Sequence, residues 1–169
     1  MRLFLILLLT LSSTAALADV TGYPPTSYYV SSDGSDSNNG SLLSPFRTIQ
    51  KGVSLAMPGQ VVEVLSGNYR DTTNPVSYGE KVITTRSGTI NAPIMIVASA
   101  GGTAPSLAGF EVRHSYITID GFSMDGGNSK ITTYTGVVYV RGGVAGLSVL
   151  NNYIHDSPVG LSAISVSYT

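Results

Sequence analysis

The chain has no cysteine, and charged residues make up only 11% of it. Without cysteine there is no disulfide scaffold, the device on which many small secreted domains lean. Stability has to come from a continuous apolar core and from backbone ladders. Nine basic residues stand against ten acidic ones, a net charge of −1. That leaves no basic face of the kind a nucleic-acid partner needs, and no run of like charges marks an interaction tail. Long apolar runs are also lacking. The longest lies at the N-terminus and falls far short of the ~20 residues a membrane span requires. A length of 169 residues suits one domain.

That N-terminal run has the layout of a targeting segment. Arg2 supplies a positive start, Leu3 to Leu11 an apolar stretch broken only by Thr10, and Ala16-Leu17-Ala18 a small-residue cleavage site. The expectation is a signal peptide over 1–18, cleavage after Ala18, and a secreted or periplasmic product. Losing Arg2 leaves eight basic and ten acidic residues, a mature net charge of −2. Residues 19–27 read as an irregular lead-in, because Gly22, Pro24 and Pro25 interrupt regular structure.

What is abundant is short, β-branched and aromatic segments. Tyr28-Tyr29-Val30 is followed by Val61 to Leu65, Ile94 to Ala98, Tyr116 to Asp120, Val137 to Val140, Leu147 to Leu150 and Leu161 to Val166. Most are bounded by Gly, Asn, Asp or Pro, as strands are. One helix interrupts them. Ser44 reads as its N-cap and Pro45 as its first residue. Phe46, Ile49, Val53 and Met57 share a face at spacings of three and four, Gln50 and Lys51 lie off it, and Pro58-Gly59 ends it. With no second helix in the pattern, an alternating βαβ fold is not expected.

The strands also repeat. Ile117 to Met124 aligns with Leu147 to Ile154 at an offset of 147 − 117 = 30, and Ile94 precedes Ile117 by 23. Gly136-Val137-Val138 precedes Gly160-Leu161-Ser162 by 24. Repeats of this length, with one to three strands each, indicate a solenoid whose inward Ile, Val and Leu form continuous columns. Gly121 and Asn151-Asn152 fall at corners, where left-handed backbone is needed. A solenoid's open ends invite edge pairing, so the helix from Pro45 to Met57 is expected to cap the first turn. No such device follows Ile164 to Thr169. The expectation is a domain over 28–169 that is truncated at its C-terminal end and able to self-associate there.

Tyr29-Val30-Ser31, then Asp33-Gly34-Ser35-Asp36, Asn39-Gly40-Ser41 and Ser44-Pro45-Phe46-Arg47-Thr48-Ile49-Gln50-Lys51, resemble the N-terminal signature of the pectate-lyase-like right-handed β-helix superfamily. Pro58-Gly59, Val61 to Val64 and Gly67-Asn68-Tyr69 continue the resemblance, as do Tyr116 to Gly121 and Asn151 to Asp156. It implies an all-β fold, a right-handed parallel β-helix with an N-terminal capping helix. It also implies an acidic polysaccharide as partner, and a polyuronate lyase or epimerase as the activity. In such lyases a Lys or Arg takes the proton α to a uronate carboxyl group, and Ca²⁺ or a basic residue neutralises that carboxylate. The expected position is on central turns, beyond Thr169. The alternative is a non-catalytic β-helix surface protein that binds glycans or mediates adhesion.

The candidates within the chain are few. Lys130 and Arg141 are the basic residues nearest the later strands, but neither is flanked by an acidic cluster and both read better as ordinary surface charge, as does His114 beside Arg113. His155-Asp156 is a neighbouring pair, poorly placed as a dyad because adjacent side chains on a strand point to opposite faces, and it reads better as a turn. Asp120, Asp125 and Asp156 are carboxylates that a glycosidase would need in pairs; Asp120-Gly121 reads better as a corner. Asp33, Asp36 and Asn38 invite a calcium reading. The EF-hand pattern fails, with Gly40 at position five and Arg47 at position twelve, and the other reading is a turn held by Asx side chains. Tyr28, Tyr29, Tyr134, Tyr139 and Tyr153 suit either sugar stacking or strand packing. Asn39-Gly40-Ser41 is a formal glycosylation sequon. No cofactor is evident beyond the calcium that the resemblance allows.

Overall fold

A computed structural model describes residues 22–70, 81–125, 136–156 and 161–163. The signal segment, Lys130 and Tyr134 lie outside the described residues. Twelve short strands and one helix follow in order: β1 Tyr28–Val30, α1 Ile49–Leu55, β2 Val61–Val64, β3 Lys81–Ile83, β4 Ile94–Ala98, β5 Ser106–Leu107, β6 Gly109–Val112, β7 Ile117–Asp120, β8 Ser123–Met124, β9 Val138–Val140, β10 Ser148–Leu150, β11 Tyr153–Ile154 and β12 Leu161–Ala163. They form three sheets, β1-β2-β4-β7-β10, β5-β8-β11 and β3-β6-β9-β12. Every strand pair in them is parallel. From β4 onward the chain visits the first, second and third sheets in that order, three times over.

Strand alternation decides which residues form the core. Val62, Ile96 and Ile119 stand in register in the first sheet, Leu107 and Met124 in the second, and Val82, Phe110 and Val138 in the third. All are buried and belong to one apolar cluster. Phe110 and Phe122 meet edge-on inside it, with ring centroids 5.4 Å apart. The offsets of 30 and 23 read from the sequence are the pairings observed, Thr118 opposite Ser148 and Ile94 opposite Ile117. The offset of 24 is corrected to 23, since Leu161 pairs with Val138. Aligning Gly136 with Gly160 in the sequence puts the repeat one residue out of step with the strands, and a one-residue slip would reverse every side chain. Strands β3, β5 and β6 are not among the strands the sequence signals, and β8 and β11 enter there only as the second halves of the repeated segments.

The corners follow the expected chemistry. Gly121 and Asn151 both have positive φ, 85° and 49°. Asn152 joins successive turns: its Oδ1 accepts from the Phe122 N–H at 2.9 Å and its Nδ2 donates to the Ile119 carbonyl at 2.9 Å.

The helix is shorter than the periodicity predicts. It starts at Ile49 with Thr48 as N-cap, whose Oγ1 accepts from the Lys51 N–H at 3.1 Å. Phe46 is extended instead. It bridges Val30, donating to the Tyr29 carbonyl and accepting from Ser31. The Asp36 carboxylate accepts the N–H groups of Arg47 and Thr48 (3.0 and 2.9 Å) and the Thr48 hydroxyl (2.7 Å). These bonds hold the entry in a non-helical form that Ser44-Pro45 alone does not reveal. Phe46, Ile49 and Val53 are buried, whereas Met57 lies past the helix and is exposed. Gln50, expected off the packed face, instead grips β3: its Oε1 accepts from the Ile83 N–H (2.8 Å) and its Nε2 donates to the Ile83 carbonyl (3.0 Å).

Candidate functional site

The outer face of the third sheet carries two ion pairs that share one carboxylate. Glu111 of β6 stands in register between Ile83 of β3 and Tyr139 of β9. Two residues past Glu111 and Tyr139 come Arg113 and Arg141. Arg113 donates from Nε to Glu111 Oε1 at 2.9 Å and from Nη2 to Oε2 at 3.1 Å. Arg141 donates from Nε to the same Oε1 at 2.7 Å and lies over the Tyr139 ring, 5.1 Å from its centroid. Glu111 is buried, whereas the arginine side chains remain 45% and 51% exposed. Burial pushes the Glu111 carboxyl up, but the hydrogen bonds and charges of Arg113 and Arg141 outweigh it and hold the group below its ordinary value. Lys81 adds a third cation at the β3 edge and donates to the Gly136 carbonyl. Burial pulls its pKa down, opposed by the charge of Glu111. Arg113 and Arg141 both bind Glu111 and keep part of their guanidiniums at the surface, a strip suited to carboxylates.

A second feature lies outside the first sheet. Residues 22–27 cross it, and Tyr23 covers the outward Val61, Met95 and Val97. Two carboxylates pin the crossing: Tyr23 donates to Asp120 Oδ2 at 2.5 Å and Thr26 to Glu63 Oε2 at 2.6 Å. Ser99 donates to Glu63 Oε1 and Asn151 to Asp120 Oδ1. A cleft of about 600 Å³ lies here, lined by these residues. With all four carboxylate oxygens engaged by the chain's own donors, this arrangement anchors the lead-in.

The structure redistributes the sequence candidates. Arg141 is not simple surface charge, because its partner Glu111 lies 30 residues away. His114 reaches the same region through Thr84, whose Oγ1 also accepts from the Arg113 N–H. His155 and Asp156 do meet, Nδ1 to Oδ2 at 2.8 Å, which corrects the expectation from strand geometry. The strand has ended at Ile154, and Asp156 has φ 50°, a left-handed turn that brings its carboxylate back. Asp125 pairs with Arg70. Asp36 spends its oxygens on the helix entry, and Asn38 Nδ2 donates to the Pro45 carbonyl at 2.9 Å. Asp33 takes its place in the turn through its N–H, bonded to Ser31 Oγ. Among the described residues there is no group of three or more His, Cys, Asp or Glu side chains that could hold a metal ion. Tyr28 packs on Phe46 and Tyr139 is buried, whereas Tyr153 is 66% exposed. Glu111, Lys81, Tyr23 and Glu63 were missed. For Glu111 there was a signal, the parallel wording Glu111-Val112-Arg113 and Tyr139-Val140-Arg141, at an offset of 28 that the longer repeat masked.

Three stacked parallel sheets with a shared core define a protein of the pectate-lyase-like right-handed β-helix superfamily. The chain belongs to the family described as "Protein of unknown function (DUF1565)", which matches residues 32–169. It is also 36% identical over 73 residues to "Pectate lyase PEL9" of Emericella nidulans, covering 43% of this chain and 16% of that one. Among solved structures it resembles a "Rhamnogalacturonan lyase" with TM-score 0.60 at 23% identity, covering 78% of this chain and 36% of the other. It also resembles the GH136 lacto-N-biosidase from Eubacterium ramulus, with TM-score 0.62 at 20% identity, covering 79% and 27%. The chain thus spans well under half the length of each of these proteins.

Proposed function

We propose that the protein is a secreted or periplasmic carbohydrate-active β-helix protein of the polyuronate lyase or epimerase type, in which this segment binds uronate carboxylates. The observation that carries the reading is the pair of half-exposed arginines, Arg113 and Arg141, converging on the buried Glu111. Glu111 orders both guanidiniums, and their exposed parts face the solvent from which an anionic chain approaches. Lys81 stands at the same strip, its amine pulled below the ordinary lysine value by burial and held up by the charge of Glu111. The relatives named for pectate and rhamnogalacturonan support an acidic polysaccharide as substrate class. In this reading the coil closes into a full right-handed helix, and α1, which buries Ile49 and Val53 beside β1, β2 and β3, is its N-terminal cap. Calcium is not required at the strip, because the arginines supply the positive charge.

The test is calorimetric binding of oligogalacturonate and oligomannuronate, with a neutral dextran oligomer as control. The expected result is binding of the uronates alone. The Arg113→Gln/Arg141→Gln double variant should bind about tenfold or more weakly, since charge-assisted hydrogen bonds are worth ~1.5–3 kcal/mol each. Equal binding of charged and neutral oligomers would sink the reading. Ultraviolet absorbance of an unsaturated product then separates a lyase from a non-catalytic binder. For secretion, the released protein should begin at Asp19.

A further inference from the structure

The outer face of the second sheet carries an arrangement that uronate binding does not use. Ser106, Ser123 and Tyr153 stand in register there, while Leu107 and Met124 face the core. His155, two residues past Tyr153, lies on the same side. Its Nε2 is 3.0 Å from Ser123 Oγ and its Nδ1 is 2.8 Å from Asp156 Oδ2. An ionised carboxylate only accepts hydrogen bonds, so Nδ1 carries a proton. In the neutral ring Nε2 is then the acceptor, and the Ser123 hydroxyl donates to it. Hydroxyl, imidazole and carboxylate follow one another in the order that activates a serine nucleophile, with the base oriented by a third group. The ring is held from a third direction by Tyr153, stacked at 4.7 Å and 21°. Ser123 and His155 are both partly accessible, so a substrate can reach them.

We propose that Ser123, His155 and Asp156 form an acyl-transfer centre that hydrolyses a small acyl ester of an alcohol, with the exposed Tyr153 ring as platform for the alcohol half, a sugar ring. Ser123 Oγ attacks the ester carbonyl carbon, and its proton passes to His155 Nε2. Collapse of the tetrahedral adduct breaks the bond to the alcohol oxygen, which leaves with the proton from Nε2. A water then gives its proton to Nε2 and attacks the acyl-serine, releasing the carboxylic acid and restoring the hydroxyl. The net change is ester plus water to acid plus alcohol, with no further reactant. Asp156 touches no reacting atom and is a positioning residue; its side chain is 86% exposed, so solvent screening weakens its effect. Only the sugar platform rests on the glycan reading; the acyl-transfer chemistry stands apart from it.

The test uses p-nitrophenyl acetate, which contains no sugar, and a fluorophosphonate probe followed by peptide mass spectrometry. One adduct on Ser123 is expected. Ser123→Ala and His155→Ala should each lower hydrolysis by roughly 10²-fold or more, the range of general-base assistance. Asp156→Asn should slow both reactions and Asp156→Glu restore them, a pattern that a purely structural role does not produce. Should Ser123→Ala fold poorly by circular dichroism, Ser123→Cys decides: its thiol should alkylate with iodoacetamide faster than in the Ser123→Cys/His155→Ala double variant. Absence of an adduct on Ser123, or hydrolysis indifferent to these substitutions, overturns the proposal. Uronate binding at Arg113 and Arg141, on a different sheet, is untouched by that outcome.

Discussion

Arg141 and Glu111 are joined by a 2.7 Å hydrogen bond between residues 30 positions apart, one pass of the chain stacked on the next. Arg113 completes the group by a two-point bond to the same carboxylate. Removing Glu111 therefore loosens two passes at once. Glu111→Ala is expected to lower stability by about 1.5–3 kcal/mol. The loss stays below the ~3–5 kcal/mol of a fully buried pair because both guanidiniums keep contact with water. Urea unfolding measures it.

The same carboxyl gives a pH dependence with a definite sign. Its pKa in the folded protein is held below the ordinary 4.5. Its contribution to stability is therefore fully present above the unfolded value and is lost as pH falls through the lower, folded one. Between pH 7 and pH 3 the melting temperature of the parent should drop more steeply than that of Glu111→Gln. Parallel curves would show that Glu111 carries none of the acid sensitivity.

Tyr23 and Tyr69 should titrate late. The hydrogen bond to Asp120, helped by burial and by the aspartate charge, pushes the Tyr23 phenol up to about 12. Burial does most of the same for Tyr69, also about 12. A raised phenol stabilises the fold below pH 10 and ceases to do so as pH rises towards 12. A spectrophotometric tyrosinate titration is expected to show a lagging component, and Tyr23→Phe should remove part of it. The substitution should also cost about 0.5–1.5 kcal/mol in urea, since the lead-in loses one of its side-chain anchors to the outer face of the first sheet.

Gly109 is where backbone meets backbone. Its φ is 142°, and a Cβ there would lie 2.0 Å from the Val137 carbonyl oxygen. Gly109→Ala is expected to cost roughly 2–4 kcal/mol, from overpacking and left-handed strain together. Gly143→Ala is the control: φ is 81° but nothing lies within 4 Å, so only the conformational term of ~1–2 kcal/mol remains. Equal losses at the two sites would remove the packing argument.

Gln50 ties the helix to β3 by two bonds to one residue's backbone. Gln50→Leu should cost about 1–3 kcal/mol, two ordinary hydrogen bonds, and should raise amide exchange at Ile83 before it does so at Ile119. Uniform exchange across both would mean that α1 and β3 open only with the whole domain.

Alternation and turn chemistry are local, and local signals were legible. Ile117 to Met124 repeats at Leu147 to Ile154 because core and corner residues recur together, and the observed register is the one they imply. Asp36 and Asn38 hold their loop through residues 7 to 12 positions on, which the local Asx reading of the sequence did not specify. Strands such as Gly109–Val112 were not legible, since a glycine and a buried glutamate make a poor strand signal until neighbouring strands supply their partners. The sites depend wholly on stacking. Glu111 with Arg141 and Ser123 with His155 are 30 and 32 residues apart, and no spacing rule along a chain pairs them. The amino-acid sequence by itself determined the solenoid, because its period is written in apolar and corner residues. Only the tertiary structure decided which charges and hydroxyls meet, because outward side chains carry no periodic constraint and find their partners across turns through register alone.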